Sequence, residues 1–136
     1  MASQDVRLAF RASLQAEFPS VAFVESIAVR VDNNSLPPLW MSLEFIQGVD
    51  QAMCIGKPTL WRETAVVRVW VVAQSGSGDG AAVAQGDAVA AFYRNWSSSS
   101  PSIRTQNVSS PNSQIESDGK WAMFYVDVPY QYDYYV

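Results

Sequence analysis

The chain contains no histidine and only one cysteine, Cys54. Those two shortages exclude an internal disulfide, a CxxC motif, a histidine-containing zinc site and any nucleophile activated by imidazole. Charge is scarce as well, at 16% of residues where an ordinary domain carries about 25%. A surface built with so little charge leaves apolar area to meet a partner. Nine basic residues against thirteen acidic ones give a net charge of -4, which argues against holding nucleic acid by phosphate neutralisation. No window approaches the roughly 20 apolar residues of a membrane span. Met1 to Phe10 carries Asp5 and Arg7 in place of the apolar run of a signal peptide, so the chain reads as cytosolic at synthesis. The sequons at Asn33, Asn95 and Asn107 then read as coincidences of a Ser/Asn-rich sequence.

What remains is 136 residues with a hydrophobic content of 49%, enough for one compact domain that buries about two thirds of its unfolded surface. Ser3 is placed to cap a helix whose apolar stripe is Val6, Ala9, Phe10, Leu14 and Phe18, with Arg7, Arg11 and Gln15 opposite and Pro19 as the stop. An extended stretch from Val21 to Val31 runs into the turn-rich segment Asp32 to Pro38. From Leu39 the pattern alternates, with Leu39, Met41, Leu43 and Phe45 on one face and Trp40, Ser42, Glu44 and Ile46 on the other. Gly48 to Thr59 reads as a loop or hairpin tip. A second strand, Leu60 to Gln74, sets Ala65, Val67, Val69, Val71 and Ala73 towards the core and Thr64, Val66, Arg68, Trp70 and Val72 away from it.

The Gly-rich turn Ser75 to Gly80 leads into an Ala-rich helix ending near Asn95, with Asp79 as its expected cap. Ser97 to Pro101 reads as a linker, followed by a strand near Ile103 to Val108 and a short one around Ile115. After Asp118-Gly119, Ala122, Phe124, Val126 and Val128 alternate with Trp121, Met123, Tyr125 and Asp127 until Pro129 is expected to break the ladder. The fold class expected is therefore α+β: a mostly antiparallel sheet with two helices on one face, plus a long hairpin or loop. The second face, bearing Trp40, Ser42, Glu44, Arg68, Trp70, Tyr125 and Asp127, is left uncovered by the helices; its mix of aromatics and arginine suits a protein interface, the alternative being that loops or the long hairpin fold back over it within one subunit.

Chemistry is harder to find. Gly76 to Ala81 matches the loose pattern G-x-G-x-x-G/A, but Asp79 would set a carboxylate beside a pyrophosphate and no acidic ribose ligand follows on a second parallel strand. A turn and a helix cap account for the same residues. The carboxylate pairs Glu116 with Asp118 and Glu44 with Asp127 have acid and base potential only at a separation that sequence does not fix. Cys54 has no neighbour that would activate it. Trp40, Trp61, Trp70, Trp96, Trp121 and the tyrosines from Tyr130 to Tyr135 offer a second possibility, a stacking platform for sugars. No catalytic residue, metal or cofactor is expected.

Trp61 to Val72, the turn and helix from Gly76 through Phe92, and Gly119-Lys120-Trp121 leading to Val126-Asp127-Val128-Pro129-Tyr130 resemble the central block of the tail terminator (tail completion) proteins of long-tailed bacteriophages. The resemblance covers about half the chain. It implies a homohexameric ring in the virion, assembled in the host cytoplasm, that caps the head-proximal end of the tail tube and stops its polymerisation. Its partners would be further copies of itself, the major tail tube protein and the head-tail connector, with DNA passing through the lumen without specific binding and no membrane involved. On that basis Trp40, Trp61, Arg62, Arg68, Trp70 and Tyr125 are the expected subunit contacts. Met53, Ile55, Tyr130, Tyr132 and Tyr134 are the expected tube or neck contacts. Another neck or head-completion protein is the nearest alternative.

Overall fold

The computed structural model of the chain describes residues 3–24, 37–74, 79–115 and 121–136. Helix α1 spans Gln4–Glu17, and the Ser3 hydroxyl accepts from the Val6 N–H at 3.4 Å, as the sequence predicts. Its buried side chains, Val6, Phe10 and Leu14, repeat every four residues and so lie on one helical face. Phe18 closes the helix by donating its backbone N–H to Leu14. Arg7 and Arg11 are not turned wholly to solvent: their guanidinium groups lie over the rings of Phe45 (4.7 Å) and Phe23 (5.6 Å). Such stems cover apolar edges while their heads stay wet.

The sheet is mixed. Its strands are β1 (Ala22–Phe23), β2 (Leu39–Ala52), β3 (Leu60–Gln74), β4 (Ser97–Ser99), β5 (Ser102–Thr105), β6 (Asn112–Ile115) and β7 (Trp121–Tyr135). The order is β1-β2-β3-β7-β5-β4, with β6 also paired to β7. Only β1 with β2 is parallel; the other described ladders are antiparallel. Helix α2, Asp79–Arg94, crosses from β3 to this second half of the sheet.

The alternations foreseen for β2, β3 and β7 hold. Met41, Leu43, Val67, Val69, Val71, Val126 and Val128 join Val6, Phe10, Leu14, Val89 and Tyr93 of the two helices in one buried cluster. Each such side chain contributes roughly 1.5–3 kcal/mol by leaving water. Small residues let α2 come close. Ala82 and Ala90 are buried, and a Cβ on Gly86 would sit 2.9 Å from Cγ of Pro111.

Three boundaries differ from the expectation. Strand β2 continues past Gly48 to Ala52, so the loop is only Met53 to Thr59. A bulge between Ile46 and Val49 admits the extra residue, and Gly48 is demanded there because a Cβ would fall 2.2 Å from the Thr64 carbonyl oxygen. The serine run is not a bare linker, since Ser97–Ser99 pairs with Ser102–Arg104, while β5 itself ends at Thr105.

Pro129 does not end β7, which continues to Tyr135. Its carbonyl accepts from Gln106 N–H at 2.8 Å, so its backbone faces away from β3. The missing N–H therefore costs the β3 ladder nothing. The turn expected at Asp32 to Leu36, most of the extended stretch before it, the Gly-rich turn at 75–78, the side chain of Asp79 expected to cap α2, and the Asp118-Gly119 turn lie outside what the structure describes.

Candidate functional site

The second sheet face is a grid of cross-strand pairs. Glu44, Arg68 and Asp127 stand in register across β2, β3 and β7, and so do Ser42, Trp70 and Tyr125. Arg68 donates to both carboxylate oxygens of Asp127 at 2.8 and 3.2 Å. Its guanidinium lies 4.0 Å from the Tyr125 ring centre, and the Trp70 indole N–H donates to Glu44 at 2.8 Å. Glu44 and Asp127 each accept hydrogen bonds from β3, from Trp70 and Arg68 respectively.

That face is less open than the sequence suggested. Trp40 and Trp70 are only 6% and 5% exposed, Ser42 is fully buried, and Val72 and Trp121 are buried with them. Ala22 and Val24 pack against this cluster at the β1 edge, and Met123 and Tyr125 at the β7 side. The Trp40 and Trp121 rings meet edge to face at 6.0 Å. The greasy half of the face is therefore closed largely within one chain, with Trp40 and Trp70 buried in it. Arg68 and Tyr125 remain half-buried at its rim.

The far end of the long hairpin is open. There β2, β3 and β7 run side by side to Ala52, Leu60 and Tyr135. The loop is pinned by a backbone pair between Thr59 and Val136, 3.0 Å in each direction. Val49, Met53, Ile55, Tyr135 and Val136 are all exposed, Ile55 completely. Cys54 is exposed beside them. Met53 and Ile55, the residues expected to meet a tube or neck protein, lie at this exposed end.

Tyr130, Tyr132 and Tyr134 of the tail face the helix side of the sheet. Tyr130 and Tyr132 are buried and Tyr134 packs against the same core, because even-numbered residues of β7 keep facing the helices to its end. The tail residue that faces outward is Tyr135. Trp61 and Arg62 are partly buried. Trp61 is in register with Tyr134, and Arg62 donates to both oxygens of Asp133 at 2.7 and 3.0 Å. That hydrogen bond, with the attraction behind it, holds the Asp133 carboxyl below its ordinary pKa and the Arg62 guanidinium above its own.

On the helix side of this end lies a feature that sequence reasoning missed. Ser3, Asp5, Asp50, Glu63, Tyr132 and Tyr134 line a cleft of about 300 Å³. Glu63 is only 4% exposed, accepts from the Tyr130 hydroxyl at 3.2 Å, and leaves Oε2 without a hydrogen-bond partner. Burial, helped by the negative charge of Asp50, pushes its pKa up despite that hydroxyl and a hydrogen bond from the Ser3 backbone. Tyr132 donates to Asp5 at 3.2 Å, and burial followed by the Asp5 charge raises its pKa in turn. The Tyr132 and Tyr134 rings stack at 5.2 Å. The three acids come from α1, β2 and β3, so no local pattern announces the cluster; only the register of Asp50 with Glu63 and Tyr132 assembles it.

Among the described residues no group of acids, Cys or His is arranged to hold a metal ion, and no helix is long and apolar enough to cross a membrane. No protein-family model matches the chain, and no curated protein matches it.

Proposed function

We propose that the chain is a tail terminator of a long-tailed bacteriophage: a virion subunit that forms a homohexameric ring, caps the head-proximal end of the tail tube, halts its growth and offers the connector its docking surface. The observation that carries this reading is the hairpin end, where Val49, Met53, Ile55, Tyr135 and Val136 expose apolar surface on a hydrogen-bonded three-stranded blade. Apolar patches held on ordered strands are what assembly contacts use. The segments that resemble the family supply the adjacent central strands β3 and β7 and the helix α2 packed on them. The fine arrangement, a nearly all-antiparallel layer with both helices on one side, fits the same reading. A sugar-stacking platform is disfavoured by burial, since Trp40, Trp70 and Trp121 are not available to stack a ligand.

The test is capping. Purified tail tubes that lack a terminator, mixed with the protein, acquire a ring at one end in electron micrographs and stop lengthening when tube subunits are added. Ile55→Ser, at a fully exposed position, leaves the fold intact and weakens capping. Tubes that keep growing with the protein left unbound reject the proposal. Binding only to tubes already capped by another protein assigns the chain to the neck instead.

A further inference from the structure

The hairpin end is electrically two-sided. The helix side of the blade carries the notch of Asp5, Asp50 and Glu63, walled by the stacked rings of Tyr132 and Tyr134. The opposite side carries Arg62 and Arg104, with Asp133 the acid beside them among the described residues. Register fixes these sides: Ile103 pairs with the inward Tyr132, so its neighbour Arg104, paired with Gln131, points the other way. Arg62 is held in its two-oxygen grip by Asp133. Arg104 is exposed and bears on Asp133 only through its charge.

The notch has an unmet requirement. The donors acting on the buried Glu63 carboxyl are the Tyr130 hydroxyl and the Ser3 backbone N–H, its Oε2 keeps no hydrogen-bond partner, and no basic side chain is among the described lining residues. A carboxylate so placed is costly unless a cation or donor reaches it. The walls specify which kind of cation. A metal ion needs its ligands gathered at one point, and the described acids are not so gathered. A guanidinium, planar and able to donate to carboxylates while its face rests on an aromatic ring, matches a notch that offers both.

We infer that the notch receives the Arg104 guanidinium of a second copy of this chain, the basic side of one hairpin blade seating against the acidic side of the next. Arg104 cannot reach the notch of its own chain, because the sheet stands between them. A contact that joins two different surfaces is heterologous, and repeated with a closing rotation it generates a ring. The inference rests on the ring reading given above and supplies its subunit contact.

A charge swap tests it. Asp50 and Arg104 are both exposed, so Asp50→Lys and Arg104→Glu leave circular dichroism unchanged. Each single variant should raise the concentration needed for assembly, read by native mass spectrometry and sedimentation, at least about tenfold. The double variant, with the pair reversed, should recover most of that loss, and salt should weaken assembly of the wild type. Single variants that assemble like the wild type, or a double variant no better than either, overturn the contact while leaving the ring reading standing. A wild-type chain that stays monomeric at high concentration overturns both.

Discussion

Asp127 grips Arg68 through both carboxylate oxygens and so holds the guanidinium 4.0 Å from the ring centre of Tyr125, the residue two positions earlier on the same strand. Arginine is required for that geometry, because a lysine ammonium cannot donate in parallel to two oxygens and lie flat against a ring. The pair caps the rim of the tryptophan cluster on the second sheet face.

A double-mutant cycle through Arg68→Ala and Asp127→Ala should therefore show coupling. Both side chains remain partly exposed, at 25% and 30%, so solvent screening keeps the expected coupling near 1 kcal/mol. Urea denaturation of the four proteins measures it. Additive effects within error would mean that the two groups merely lie side by side.

The three long strands were readable because each keeps a strict alternation of period two, and burial on the helix side enforces one register. Parity was also enough to place Tyr130 and Tyr132 inside: they continue the series Val126 and Val128, and only the assumption that Pro129 stops the strand hid this. Burial of Trp40 and Trp70 was not readable, since alternation states which side a residue faces and not whether that side is covered. The acidic notch was invisible for a different reason. Asp5, Asp50 and Glu63 become neighbours through a helix end, a bulge and a strand register that no local spacing encodes.

Glu63 gives a pH dependence of definite sign. Its carboxyl holds a proton to higher pH in the folded chain than in the unfolded one, chiefly through burial. Between the ordinary glutamate value and the raised one the native state binds more protons, so stability falls as pH rises through that interval. Glu63→Gln keeps an acceptor for the Tyr130 hydroxyl and abolishes the charge. Its urea midpoint should exceed the wild-type midpoint at neutral pH, and the difference should shrink on acidification. Asp133 acts in the opposite sense, its lowered pKa adding stability above the ordinary aspartate range that is lost in acid. A Glu63→Gln curve parallel to the wild type throughout would show that Glu63 is not strained by burial.

Phe10 is the hub of the interior, its ring centre lying 5.0 to 6.3 Å from those of Trp96, Tyr130, Tyr93 and Phe45. Phe10→Ala empties the place where α1, α2 and the sheet converge. The expected loss is about 3–5 kcal/mol, read as a fall in the urea midpoint with an unchanged slope. A loss below about 1 kcal/mol would place the centre of the core elsewhere.

Gly48 is the position where backbone approach, not side-chain packing, sets the constraint. At the bulge in β2 an added Cβ would lie 2.3 Å from the Ala65 Cβ and 2.2 Å from the Thr64 carbonyl oxygen. Both sit on the central strand β3, which is fastened on its other side to β7 and has no free direction in which to yield. Gly48→Ala must then spread the hairpin or abolish the bulge, and losing the bulge would shift Asp50 off the face it shares with Glu63. The expected cost is at least about 2 kcal/mol, and hydrogen exchange should quicken at Asp50 to Ala52 ahead of the rest of the sheet. Because the same shift dismantles the acidic notch, assembly should fail in Gly48→Ala even where most of the protein remains folded. A variant with wild-type stability and wild-type exchange would mean that the two strands part at the bulge without strain, and that the position of Asp50 is set by the loop beyond it.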